Sequence, residues 1–194
     1  MRAIASAFAV ALFAVSASGS PSSVGVFFDA DATDCDASAA AFMPFTVWLC
    51  ATLGTDAAGN GILGVQFRVA GLSDIVWSIT PSAAAQFALG DPTANGCVIG
   101  FPTCTSGVGP QNAVLLYTIL CLPFGPVSPR VLSVEPPTLP CNDCWTPGPV
   151  ATLCDAPVFT KLSVSGGQAM LNNGSCTVTV RPATWGGVKS LFRG

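Results

Sequence analysis

The chain has 194 residues, enough for one domain with a real core, and only 9% of them are charged. Seven basic residues face ten acidic ones without any basic run, which excludes a nucleic-acid surface and attraction to anionic lipid. Histidine is absent, so every Ser-His or Cys-His nucleophile system is excluded as well.

The N-terminus reads as an export signal, residues 1–17. Arg2 gives a minimal positive region, Ala3 to Val15 is uncharged and apolar, and Val15-Ser16-Ala17 offers small residues for cleavage. The apolar stretch is shorter than the roughly 20 residues a spanning helix needs, and no later run is long enough either. The expected mature protein is therefore exported to the extracellular space or cell surface without a transmembrane segment. Its domain runs over 18–180, followed by a short amphipathic segment at 181–194. Nine cysteines behind such a leader point to disulfides.

"VGVFFD" is the first expected strand, and "DADATDCD" after it holds four aspartates in eight positions. "FTVWLCATL" alternates, with Phe45, Val47, Leu49, Ala51 and Leu53 on one face and Trp48 and Cys50 on the other. After the turn "GTDAAGNG", "ILGVQFRVAGL" alternates again. Val65, Phe67 and Val69 point inward and Gln66 and Arg68 to water, which predicts a hairpin with the preceding strand. "DIVWSIT" is a short strand stopped by Pro81. "SAAAQFALG", capped by Ser82 and ended by Gly90, is the best internal helix. "GCVIGF" and "AVLLYTILCL" are strands, the second apolar on both faces and so central in its sheet. "RVLSVE" follows. Residues 136–157, with six prolines and three cysteines, read as an irregular disulfide-tied loop. "VFTKLSV", Gly166-Gly167 and "QAML" predict a second hairpin, and "CTVTV" a last strand. Thr184 can cap a closing helical turn that carries Trp185, Val188 and Phe192.

Short strands about every ten residues, with Gly/Pro turns between them, specify an all-β, single antiparallel sandwich with one or two short helices. "VGVFFDADATDC", "GILGVQFRVAGL", "CVIGFPTC", "LCDAPVFTKLSVSGGQAML" and "TWGGVKSLFR" together resemble an uncharacterised family of exported bacterial β-sandwich proteins from environmental genomes. The resemblance covers nearly the whole mature chain and implies no activity, cofactor or catalytic residue. The alternation in "GILGVQFRV" is also similar, in a generic way, to cohesin-type, immunoglobulin-like sandwiches.

Candidate chemistry is sparse. Counted from Asp29, an EF-type loop would need a Gly at the sixth position and a Glu at the twelfth, where Asp34 and Ala40 stand. A looser calcium site from Asp29, Asp31 and Asp34 is the sharper reading; Asx-type turns in water are the plainer one. The disulfide candidates are Cys35, Cys97, Cys104, Cys141, Cys144, Cys154 and Cys176. Cys97 and Cys104 bracket a short Pro-containing loop, and Cys141, Cys144 and Cys154 crowd the Pro-rich segment. Cys50 and Cys121 lie in strand-like runs, either bridged across neighbouring strands or buried as thiols. "CNDC" has C-x-x-C spacing, but Pro140 and Pro147 flank it and no second ligand pair exists for zinc, so structural bridges are favoured. Trp48 is the candidate aromatic for stacking a ligand, opposite the Phe45/Val47/Leu49 row. Asn173-Gly-Ser matches a glycosylation acceptor. The expected function is that of a secreted or cell-surface structural or adhesive protein without catalysis. The alternative is a carbohydrate- or peptide-binding module with a glycan or surface partner, assisted by calcium through Asp29–Asp36. A third reading is an aspartate-dependent hydrolase, which needs two carboxylates about 5 to 9.5 Å apart across a cleft.

Overall fold

The computed structural model describes residues 21–57, 61–138, 148–155 and 159–176. The leader, Cys141, Cys144, Trp145 and the 181–194 segment lie outside them.

The described strands are β1 (Ser23–Phe27), β2 (Asp36–Ala37), β3 (Phe45–Thr52), β4 (Ile62–Ala70), β5 (Val76–Pro81), β6 (Phe87–Asp91) and β7 (Gly96–Thr105). They continue with β8 (Ala113–Cys121), β9 (Arg130–Glu135), β10 (Val150–Leu153), β11 (Lys161–Ser163), β12 (Ser165–Gly166) and β13 (Gln168–Leu171). One 3-10 turn, Thr55–Ala57, joins β3 to β4. The first sheet has the order β12-β1-β3-β8-β5. The second runs β11-β10-β4-β9-β13-β2, with β7 added beside β4 and β6 beside β7. The two form a sandwich, as the short alternating strands require.

The core comes from the inward positions of both sheets. Val24, Val26, Val47, Leu49 and Ile119 of the first meet Val65, Phe67, Val69, Ile99 and Leu132 of the second, all fully or nearly fully buried. β8 lies between β3 and β5, the central place its two-sided apolarity predicts. One polar knot fastens the start of β1. The Asp56 carboxylate accepts from the Ser22 amide at 2.9 Å and from its hydroxyl at 2.5 Å, while the Ser22 hydroxyl accepts from Gly54 N–H at 2.7 Å.

Four local expectations are corrected. β3 and β4 do not form a hairpin; they belong to different sheets, and the loop between them crosses the sandwich. "VFTKLSV" and "QAML" do not pair either: β11 joins β10, β12 runs parallel to β1, and β13 joins β9 and β2. The "SAAAQFALG" helix is a turn, with Ala85 N–H on Ser82 C=O at 3.0 Å, followed by strand β6. A nine-residue helix is marginal alone, and Phe87–Asp91 instead gain a full antiparallel ladder with β7. The Pro-rich segment is also not wholly irregular, since β10 lies within it.

Candidate functional site

Along β4, Val65, Phe67 and Val69 enter the core, so Gly64, Gln66 and Arg68 stand on the outer face of the second sheet. Cross-strand register extends that face over four strands. One row reads Thr152, Gly64, Gly100, Phe87, and the next reads Val150, Gln66, Val98, Leu89. Two glycines side by side leave no side chains in the middle of the first row. The result is a groove of about 260 Å³ with Gly64 and Gly100 on its floor and Phe87, Val98 and Thr152 among its walls.

The Phe87 ring lies across Gly100, where an added Cβ would meet ring carbons at 2.3 Å. Phe87 remains 46% exposed and Leu89 65%. Gln66, expected in water, is buried at 8% between Val150 and Val98. β6 is an edge strand among the described residues, with β7 on one side only, and carries neither Pro nor Lys to blunt it. On its other flank a cleft of about 270 Å³ separates β6 from β5, lined by Ile79, Pro81, Ala88, Gly90, Asp91 and Tyr117. The lining is mixed, with the Asp91 carboxylate beside Ile79, Pro81 and Ala88; burial raises the Tyr117 phenol far above its usual range and pushes the Cys97 thiol up to about 12. Neither cavity is lined by a pair of carboxylates.

A second apolar surface sits at one end of the sandwich. The β5–β8 register slips between Val76 and Ser78, so Trp77 leaves the ladder and points outward at 61% exposure. Its ring is 6.0 Å from that of Phe124 at 55°, a tilted pair instead of a flat platform. Phe42 and Met43 are also exposed, and Phe42 N–H bonds to Pro123 C=O at 2.7 Å, beside Phe124 in the chain. Trp48, the aromatic proposed from the sequence, is half-buried on the core with Phe27 and Thr118 as cross-strand neighbours. The alternation "FALG" and a Phe flanked by prolines in "PFGP" were the available signals for Phe87, Leu89 and Phe124.

Of the aspartates, Asp29 turns back on its own loop, accepting from Thr33 N–H at 2.9 Å, Thr33 Oγ1 at 2.7 Å and Asp34 N–H at 2.7 Å. Burial raises its pKa, but the Thr33 and Asp34 hydrogen bonds outweigh it and hold the carboxyl below the usual range. Asp34 accepts from Asp36 N–H at 3.2 Å and Asp31 is exposed. Among the described residues no three acidic or sulfur side chains converge on one point, so Asp29, Asp31 and Asp34 do not assemble as a ligand set. Within the loop, the Asp36 N–H on the Asp34 carboxylate makes one Asx-type turn.

Cys35 and Cys176 are joined across 141 residues, tying that loop to the chain beyond β13. Cys97 and Cys104 are not a loop pair: both lie on β7, and the β4 residues opposite Cys97 and Thr105, Phe67 and Ile62, set those two about 17 Å apart, which leaves Cys104 beyond disulfide reach of Cys97. Cys50 stands opposite Leu115 and Cys121 opposite Phe45, so these neighbours on β3 and β8 are buried thiols about 17 Å apart along the strands.

No family model matches the chain, and no curated protein matches it in sequence. Among solved structures it is similar to the cohesin module of a family 33 glycoside hydrolase from Clostridium perfringens. That match has a TM-score of 0.52 at 8% identity, covering 79% of this chain and 98% of the module. The fold is cohesin-like. The sixth cohesin of scaffoldin B from Acetivibrio cellulolyticus, solved in complex with a dockerin, matches with a TM-score of 0.48 at 9% identity over 80% of this chain and 100% of that one. At such identities the likeness concerns the fold. No helix among the described residues is long and apolar enough to cross a membrane.

Proposed function

We propose that this protein is an exported, non-catalytic interaction module of the adhesive or structural kind, and that a partner polypeptide docks on the glycine-floored groove and the β6 edge. The single observation that carries the reading is the patch Phe87, Leu89, Val98: large apolar side chains exposed to water on and beside an edge strand with unpaired backbone donors and acceptors. An extended segment added to β6 would satisfy those groups and set alternate side chains beside Phe87 and Leu89, at the rim of the groove. The low surface charge favours such apolar contact. The cohesin-like scaffold is consistent with a docking role. Export rests on the leader and the cysteines, and a cell-surface or extracellular location follows from it.

The test places a photo-crosslinking phenylalanine at Leu89 and, as a control, at Gln168 on β13, in the protein displayed by its host. Adducts to one polypeptide at 89 and not at 168 are expected, and the purified partner should bind Leu89→Asp roughly tenfold or more weakly. Equal labelling at both positions, or unchanged affinity, would reject the β6 site. A second reading, carbohydrate binding, is favoured by exposed Trp77 and Phe124. Glycan-array binding that is lost in Trp77→Ala and kept in Leu89→Asp would establish it instead.

A further inference from the structure

Cys104 on β7 and Cys154, one residue beyond β10, flank the start of β4 on opposite sides. Ile62, the first residue of β4, is opposite Thr105 on β7 and Leu153 on β10. Beyond β10 the chain stays against this corner, because Cys154 N–H donates to Gly61 C=O at 3.2 Å. Gly61 has φ +78°, and a Cβ there would lie 2.6 Å from the Thr105 carbonyl. The start of β4 is therefore pressed onto the end of β7 with no side chain between them. With that space open, the Cys154 side chain reaches across Gly61 to the neighbourhood of Cys104 and the Thr105 backbone amide.

We propose that Cys104 and Cys154 form a second disulfide, which clamps the ends of β7 and β10 across the start of β4. The same two strands wall the groove, through Val98 and Gly100 on β7 and Val150 and Thr152 on β10. The bridge would hold their spacing whatever the groove binds, so it stands independently of the docking reading. It also assigns Cys154 away from Cys141 and Cys144.

Oxidation by a small-molecule disulfide such as glutathione disulfide balances as two exchanges. Exposed Cys104 loses its proton to solvent and attacks, forming a mixed disulfide and releasing one small thiol. Cys154 then gives up its proton, attacks the Cys104 sulfur and releases the second thiol. Two protein thiols are oxidised and one external disulfide is reduced. Burial, and then the Cys104 neighbour, push the Cys154 thiol up to about 12. Exposure makes Cys104 the point of first attack, and the less exposed Cys154 resolves.

The test is peptide mapping of the full chain, unreduced, after equilibration with glutathione disulfide. A Cys104–Cys154 cross-linked peptide is expected. Cys104→Ser should expose Cys154 to iodoacetamide while Cys35 and Cys176 stay unlabelled, and should lower Tm by roughly 5–15 °C under oxidising conditions but not in reductant. A bridge from Cys154 to Cys141 or Cys144, or alkylation of both Cys104 and Cys154 after oxidation, would overturn the assignment. The map of the unsubstituted chain decides even if the variant fails to fold.

Discussion

The ring of Phe87 occupies the place that a side chain on Gly100 would fill. This contact, between adjacent antiparallel strands, joins the floor of the groove to its aromatic wall, and it depends on residue 100 having no Cβ. Gly100→Ala should therefore displace the half-exposed ring, at a cost below the roughly 1–3 kcal/mol of overpacking a closed core. Urea unfolding measures it, and the double variant Gly100→Ala, Phe87→Ala should recover part of the loss, because the clash goes with the ring.

The Ser22–Asp56 knot should make stability acid-sensitive. Burial raises the Asp56 pKa, but hydrogen bonds from the Ser22 hydroxyl and the Ser22 and Ala57 amides more than offset it, leaving the carboxyl below its ordinary value. Asp29 is lowered in the same way by Thr33 and Asp34. A carboxyl whose folded pKa is depressed binds more protons when unfolded. Its contribution is complete above about pH 4 and is lost as pH falls through the lower folded value. Asp56→Ala should cost roughly 1–2 kcal/mol at pH 7 and flatten the decline in Tm measured below pH 4. An unchanged acid profile would contradict the role given to this contact.

Three buried thiols should be silent in the native state. Burial, the main cause at each, pushes Cys50, Cys97 and Cys121 up to about 12, with Asp29, Asp91 and Asp74 respectively adding a smaller rise. At pH 8 only about one molecule in ten thousand would carry the thiolate at any of these positions. Brief iodoacetamide treatment should leave their peptides unmodified, and the same treatment in denaturant should label all three. Labelling of Cys50 in folded protein would place it outside the core.

The Cys35–Cys176 bridge spans 141 residues, so it restricts the unfolded chain strongly. Cys35→Ser with Cys176→Ser should destabilise the protein by about 2–5 kcal/mol in chemical denaturation. The aspartate turn should keep its Asp29–Thr33 hydrogen bonds, since those are local.

Much of this protein was readable residue by residue. The two-residue alternation in "ILGVQFRVA" correctly sent Val65, Phe67 and Val69 inward, and the same period identified Val47, Leu49 and Ala51. Gly and Pro marked where strands stop, as at Pro81. These features are local, because strand geometry turns successive side chains to opposite faces whatever lies beside the strand. The identity of each strand's neighbour is not local. Nothing in β3 or β4 says that they part into different sheets, and nothing near Cys104 says that Cys154 lies beside it. "SAAAQFALG" suits a helix by composition, and only the β7 ladder and the bare surface of Gly100 draw Phe87 into a strand. The sequence by itself determined which residues face the core and that sheets must pack to cover them. The tertiary structure alone decided pairing and register, and with them the groove and the thiol contact, because those depend on residues far apart in the chain meeting at a distance no local pattern encodes.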